Sequence, residues 1–295
     1  MSRIFKIAAI ALLFNMSASA QETPKPCGAT YEVNAGPDID VCESGIVGVN
    51  GILAGDATRA VWRGGKGVFT PDRNSIAMEY TPDSSEYGNT VMLTLVGDNP
   101  NFPDCPKGRD DIQIRVNMQP KVEAGKNKKV CQAQPVPLQG KLLSGKAQRL
   151  QWTSNGTGTF DDASKEDAIY TPSDVDAGLG AIVLTFKAYA FGVCLNDSDM
   201  IALTVVPMPV ITMPSNLKGT GMNPIALNAK VQGGTKLTWT SSGNGKIQSA
   251  SKATATYIPS TDDLSNGRVT LTLSAKGEMN CSSEKSVTIT LTADQ

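Results

Sequence analysis

Three tryptophans, each followed eighteen residues later by a tyrosine, constrain this chain more than any other feature. Trp62 leads to Tyr80, Trp152 to Tyr170 and Trp239 to Tyr257. The surrounding runs repeat as well. Trp62-Arg-Gly-Gly-Lys-Gly-Val-Phe, Trp152-Thr-Ser-Asn-Gly-Thr-Gly-Thr-Phe and Trp239-Thr-Ser-Ser-Gly-Asn-Gly-Lys share one plan, and Tyr-Thr-Pro or Tyr-Ile-Pro closes each. The tryptophans stand 90 and then 87 residues apart. Such a period is too long for a solenoid repeat and suits a small all-β domain used in tandem.

Within each repeat, short alternating runs are separated by Gly, Asn, Asp and Pro, and no segment sustains a helical period. In the first repeat Thr90–Val96 alternates, and so does Asp111–Val116, which puts Ile112, Ile114 and Val116 on one face. Ala181–Phe186 and Met200–Val206 correspond in the second repeat, and Val269–Leu273 and Val287–Leu291 in the third. Several short strands per repeat predict an all-β chain of three tandem immunoglobulin-like (PKD-like) β-sandwich domains, at 21–118, 119–207 and 208–295. Pro120 lies at the first junction and Pro207, Pro209 and Pro214 at the second. Proline stiffens such connections, so a semi-rigid rod is predicted.

Trp62, Tyr80, Trp152, Tyr170, Trp239 and Tyr257 read as core packing between two sheets, with indole N–H and phenol O–H groups finding backbone partners. The Gly-Lys-Gly and Gly-Thr-Gly pieces have the composition of a phosphate loop. They sit in a hairpin with no helix after them, so no nucleotide site or other cofactor is predicted.

Residues 1–20 read as a secretory signal peptide. Arg3 and Lys6 form a positive start, Ile7–Phe14 an apolar stretch, and Ala18-Ser19-Ala20 a cleavage site before Gln21. No later segment is apolar enough to be a transmembrane helix. In an exported chain the six cysteines are a disulfide framework before they are anything else. Cys42 and Cys105 hold the same relative places in the first repeat as Cys131 and Cys194 in the second, which predicts Cys42–Cys105 and Cys131–Cys194 bridges within domains. Alignment puts Thr220 where Cys131 stands, leaving Cys281 and Cys27 over. These two are either unpaired or joined in an intermolecular or fold-back bridge. There is no histidine anywhere in the chain. Imidazole acid–base chemistry, Ser-His-Asp and Cys-His nucleophiles and most transition-metal sites are thereby excluded. Asp161, Asp162, Asp197 and Asp199 read as solvated turn acids, and no enzymatic role or metal is predicted.

The net charge of −1 conceals an acidic first domain, a balanced second and a basic third. This gradient fits complementarity between the ends of the rod or with a partner, and gives no basis for nucleic-acid binding. The turn between the last two strands differs from domain to domain, so Asn99, Phe102 and Pro103 in the first and Tyr189 and Phe191 in the second are the predicted partner-contact residues.

The combined motifs resemble a known family. Ala35-Gly-Pro-Asp38 with Val41-Cys42, the second tryptophan run, Tyr170-Thr-Pro-Ser173 and the Asp176…Gly180-Ala-Ile-Val-Leu-Thr run resemble the SprB-like repeats of giant Bacteroidota gliding-motility adhesins. The resemblance is strongest in the second domain and weakest in the third. It implies PKD-like or immunoglobulin-like domains and a non-enzymatic role in cell adhesion. Two departures matter: there are three repeats instead of dozens, and the sequence stops at Gln295 without room for a C-terminal sorting domain. The implied role is an accessory subunit at the cell surface or outside the cell, or in the periplasm. Its partner would be a larger cell-surface or outer-membrane protein, with self-association as a further expectation. Carbohydrate binding is the alternative, with Tyr189 and Phe191 as its platforms, although aromatic residues are only 5% of the chain.

Overall fold

The structure is a computed structural model, and residues 30–293 are described. The signal peptide and Cys27 lie outside that range. Alternating side chains dictate the local structure. In the first domain the strands are β1 (Tyr31–Asn34), β2 (Ile39–Cys42), β3 (Val47–Asn50), β4 (Ile52–Gly55), β5 (Arg59–Gly64), β6 (Val68–Thr70), β7 (Ala77–Thr81), β8 (Thr90–Asp98) and β9 (Gly108–Asn117). A four-stranded sheet in the order β2-β9-β8-β5 faces a three-stranded sheet β3-β7-β6, with β1 and β4 paired as a ribbon at the side. Every pairing is antiparallel except β2 with β9, which run parallel. Val91, Leu93 and Leu95 of β8 and Ile112, Ile114 and Val116 of β9 point inward and are buried.

The plan recurs twice. In the second domain Lys128–Cys131, Asp197–Val206, Ala181–Ala190 and Ala147–Ser154 form the four-stranded sheet. In the third it is Lys218–Thr220, Ser282–Thr292, Arg268–Lys276 and Lys236–Ser241. Each domain has its own apolar cluster, and each cluster is centred on its own indole. Trp62, Trp152, Trp239 and the three tyrosines are all buried. Trp62 Nε1 donates to Ser75 O (3.1 Å) and Trp239 Nε1 to Lys252 O (3.0 Å). Trp152 Nε1 has no partner among the described residues, and its ring instead stacks on Phe186 at 4.7 Å.

Two six-residue helices, Asp174–Leu179 and Thr261–Asn266, and a single 3-10 turn at Ser84–Glu86 occupy one equivalent place in the three domains. Under two turns long, they carry no period a sequence could reveal. All three open with a capping box, and the carboxylate three residues in has a second task. Asp176, fully buried, accepts from Thr157 N (2.7 Å), Gly158 N (3.0 Å), Ser173 N (3.0 Å) and the Tyr170 hydroxyl (2.8 Å). Asp263 accepts from Asn244 N, Gly245 N, Ser260 N and the Tyr257 hydroxyl. Glu86 does the same with Lys66 N, Asp83 N and the Tyr80 hydroxyl. The glycine-rich run after each tryptophan therefore wraps a carboxylate of its own domain. Gly158 and Gly245 are required there, because a Cβ at either would lie within 2.6 Å of the tyrosine hydroxyl or of a backbone oxygen.

Burial alone would raise the Asp176 and Asp263 pKa values, but the convergent N–H and O–H donors outweigh it and hold both below the ordinary carboxylate value. Burial, and then the hydrogen bond to the carboxylate, raise the Tyr80, Tyr170 and Tyr257 phenols.

The disulfides differ from the sequence-based expectation. Cys42 bonds Cys194 and Cys131 bonds Cys281, with Cα–Cα distances of 5.0 and 5.5 Å. Neither Cys42–Cys105 nor Cys131–Cys194 forms, and Cys281 is neither unpaired nor intermolecular. The reason is the parallel pairing of β2 with β9. It sets Cys42 opposite Asn117, at the far end of β9. Cys105 lies just before the start of β9, so the ten-residue strand separates the two by about 30 Å, against the roughly 7 Å a bridge allows. The cysteine of one domain instead meets the loop cysteine of the next. Cys105 is itself disulfide-bonded.

Two predictions follow from these arrangements. Asp176→Ala strands four buried donors and should cost about 3 kcal/mol, read as a lowered thermal midpoint for the second domain. The lowered folded pKa makes the carboxylate's contribution complete above its unfolded value of 3.8, and lost as pH falls through the lower folded value. Asp176→Asn should therefore weaken the domain at neutral pH while flattening its loss of stability on acidification. Peptide mapping without reduction should recover Cys42 linked to Cys194 and Cys131 to Cys281; a Cys42–Cys105 peptide would refute the fold's joint geometry.

Candidate functional site at the domain joints

Tandem sandwiches have two kinds of surface that can meet a partner, the sheet faces and the ends. The crosslinks direct attention to the ends. At each joint the lower face is made by the last residue of the short parallel strand and the last residues of the final strand. The upper face is the loop between the last two strands of the following domain.

At the first joint the Cys194 sulfur lies 3.5 Å from the Asn117 carbonyl oxygen, and Asn117 Nδ2 donates to Asp40 Oδ1 (3.2 Å). Gly192, with φ +54°, passes so close that a Cβ there would lie 2.5 Å from Asn117 Nδ2. Lys146 Nζ donates across the joint to Gly88 O (3.3 Å). At the second joint Cys281 is buried, and Lys129, two residues before Cys131 on the same strand face, forms an ion pair with Glu278. Both side chains of that pair are about half exposed, so it adds orientation more than stability. Gln132 Oε1 accepts from Met208 N (3.0 Å), tying the connecting segment to the second domain.

The predicted contact residues divide. Asn99 is buried; its Nδ2 donates to Asp56 O (2.8 Å) and its Oδ1 accepts from Asn101 N (3.0 Å), so it shapes its loop. Phe102 and Pro103 are exposed at the tip of that loop. Asp98 at the loop's base is gripped by Arg59 and Lys107, whose hydrogen bonds hold its carboxyl far below the usual range. Tyr189 lies under its own neighbours: the Arg149 guanidinium is 3.4 Å from the ring centroid and Lys187 Nζ 4.7 Å, while the hydroxyl donates to Gln151 Oε1. Phe191 is exposed, and so are Val193 and Leu195 on either side of Cys194. Sequence reasoning passed over Val193 and Leu195. The signal was available, since Phe191-Gly-Val-Cys-Leu195 is an apolar run where a turn is ordinarily polar.

The acids that the sequence placed in turns are engaged by the backbone, and Asp197 and Asp199 stand not in a turn but at the start of the strand Asp197–Val206. Asp197 and Asp199 accept from Val122 N and Ala124 N (2.8 Å each). Asp161 accepts from Ile169 N, and Asp162 from Ser164 N and Oγ, contacts that lower both carboxyl pKa values. Asn196 Oδ1 takes Ala190 N. Among the described residues no group of three or more acidic, cysteine or histidine side chains is placed to hold a metal ion.

No protein-family model matches this sequence, and no curated protein does either. Solved structures do. The I-band fragment I67–I69 of titin superposes with a TM-score of 0.50 at 13% identity, covering 90% of this chain and 99% of that one. An E-to-A variant of the same three titin domains gives the same values. Immunoglobulin domains 1–5 of Sidekick-1 give a TM-score of 0.44 at 13% identity, over 90% of this chain and 60% of that one. At this identity the titin likeness concerns the fold: three immunoglobulin-like sandwiches in tandem.

Proposed function

We propose that this chain is an exported, non-enzymatic binding or structural protein of the cell envelope. In this reading it serves as an adhesin component, or as an accessory subunit of a larger cell-surface adhesin of the gliding-motility type. Its working units are residues 21–118, 119–207 and 208–295. The observation that carries the reading is the covalent closure of both joints. A disulfide across a joint adds nothing to a reaction centre, and it holds one sandwich at a set angle to the next. That is what a spacer or presenting element needs. Disulfides of this kind also persist in oxidising compartments outside the cytosol, which supports export to the cell surface or beyond. The resemblance of the tryptophan and tyrosine runs to SprB-like repeats supports the gliding-motility assignment. Phe102, Pro103, Phe191, Val193 and Leu195 are the side chains offered to a partner. Carbohydrate binding has less support, because Tyr189 lies beneath Arg149 and offers no open platform.

The crosslinks also shorten the covalent path through the rod. From residue 30 the path can pass Cys42 to Cys194, return to Cys131 and leave by Cys281, bypassing most of the chain. Pulled between residues 30 and 293, the oxidised protein should extend to at most about 300 Å after complete unfolding, against about 900 Å once reduced. Single-molecule extension of the full chain measures this, and equal lengths in the two states would remove the spacer argument. Affinity purification from native envelopes without reductant should bring down a larger surface protein. Recovery of the bare chain alone would count against the accessory role.

A further inference from the structure

The second domain is attached to its neighbours by both backbone and sulfur. Its chain enters from Asn117 and leaves through Pro207, while the crosslinks reach it at Cys194 on the first joint and at Cys131 on the second. Two covalent segments therefore run past it from the first domain to the third. One is residues 118–131, from the end of β9 to the second crosslink. The other is residues 194–209, from the first crosslink to the head of the third domain. Both start from one point, because Cys42 and Asn117 lie opposite each other in the register of β2 and β9. Both also finish together. A Cβ on Gly277 would stand 3.3 Å from Pro209 Cγ, and Gly277 N donates to Cys281 O (2.8 Å).

The two segments lie side by side and have little slack. Lys128–Cys131 pairs in parallel with Leu203–Val206, and Val122 N and Ala124 N donate to Asp197 and Asp199. The 10 residues of Asp197–Val206 span about 33 Å. With residues 194–196 added, the crosslinks stand about 40 Å apart. Residues 118–131 reach at most about 50 Å when fully extended. The rest of the domain, residues 132–193, hangs between the crosslinks and holds Trp152, Tyr170 and Asp176.

We propose that the crosslinks take the second domain out of the line of tension between the first and the third. In the reduced chain, a pull that enters at Lys128 and leaves at Val206 must cross the ladder that joins their two strands. In the oxidised chain each strand is continued covalently at both ends, so the ladder and the core behind it are no longer in series with the load. Unfolding the domain then lengthens the molecule by on the order of 10 Å, against about 250 Å for residues 119–207 without crosslinks. The inference rests on the spacer reading above. It adds that the domain carrying the exposed Phe191, Val193 and Leu195 keeps its shape while the ends are loaded.

Single-molecule extension of the full chain held at its two ends is the test. The parent is compared with Asp176→Ala, and with Tyr170→Phe, which keeps the carboxylate and removes one donor to it. In the reduced state both variants should lower the force of one step of about 250 Å. In the oxidised state the first extension should come at the same force in parent and variants. This holds even for a variant whose second domain is unfolded, since the bypassing segments are unchanged. A first oxidised step that either variant moves to lower force overturns the proposal. Variants that shift no step in either state overturn it too, because the domain would then bear no load for the crosslinks to remove. Equal total lengths in the two states defeat the spacer reading as well; a variant-sensitive oxidised step with unequal total lengths defeats this inference alone.

Discussion

A carboxylate buried beneath a glycine-rich hairpin is the constraint on which each domain depends. A buried charge is tolerated only where donors surround it, and Asp176 has three backbone N–H groups and a phenol. Those donors come from three stretches of chain: the run after the tryptophan, the tyrosine strand, and the cap of the short helix. One side chain thus fixes the hairpin against the opposite sheet, positions the tyrosine beside the indole and sets where the helix starts. The repeated spacing of tryptophan and tyrosine is the trace that this arrangement leaves in the sequence. The phosphate-loop composition acquires a physical meaning too. The hairpin does present a cluster of backbone N–H groups to an anion, and the anion is the domain's own.

The domains so formed are similar enough that what distinguishes the protein is how they are joined. Each sandwich has an apolar core of its own. A crosslink inside a domain would have added stability to a unit already closed by its carboxylate. Placed between domains, the same bond constrains relative orientation, a property that three small cores and a few polar contacts across a joint cannot impose. Lys146 to Gly88 O and Lys129 to Glu278 are exposed interactions of modest strength, and without the sulfurs they would leave the joints free to bend.

Much of this was legible in the sequence, and the limits have physical causes. Alternation exposed the long strands Thr90–Asp98 and Ala181–Ala190, because one face of each is buried and the other wet. The burial of the indoles and phenols was legible for the same reason. Asp176 and Asp263 were harder to pick out, since nothing in an acidic residue announces that it points inward. Their signal is relational, a Ser-x-x-Asp cap placed six residues after a tyrosine. The cysteine pairing failed for a different reason. Equivalent positions in two domains are compatible with bonds inside each domain and with bonds offset by one domain. Only the parallel pairing of Ile39–Cys42 with Gly108–Asn117, invisible in a pattern of hydrophobic residues, separates the two. Asn99 and Tyr189 looked like contact residues because loops are ordinarily exposed. One is drawn inward by Asp56 O and the other is covered by Arg149.

The offset also accounts for the apparent irregularity of the third domain. If crosslinks closed each domain, the absence of a cysteine at Thr220 would be a loss that strands Cys281. With crosslinks running from the foot of one domain to the loop of the next, Cys281 is a receiving position, filled by Cys131. Thr220 is a sending position with no described loop above it. The two described crosslinks then follow one rule: each joins the foot of one domain to the loop of the next. In the function proposed above, the same geometry says where partner contacts belong. Loop residues beside a crosslink, such as Phe191, Val193 and Leu195, are held rigidly by the bond at Cys194 and yet remain exposed. Little conformational freedom is left for them to lose on binding, and exposed apolar groups held in that way are the part of a rod best suited to bind without rearrangement.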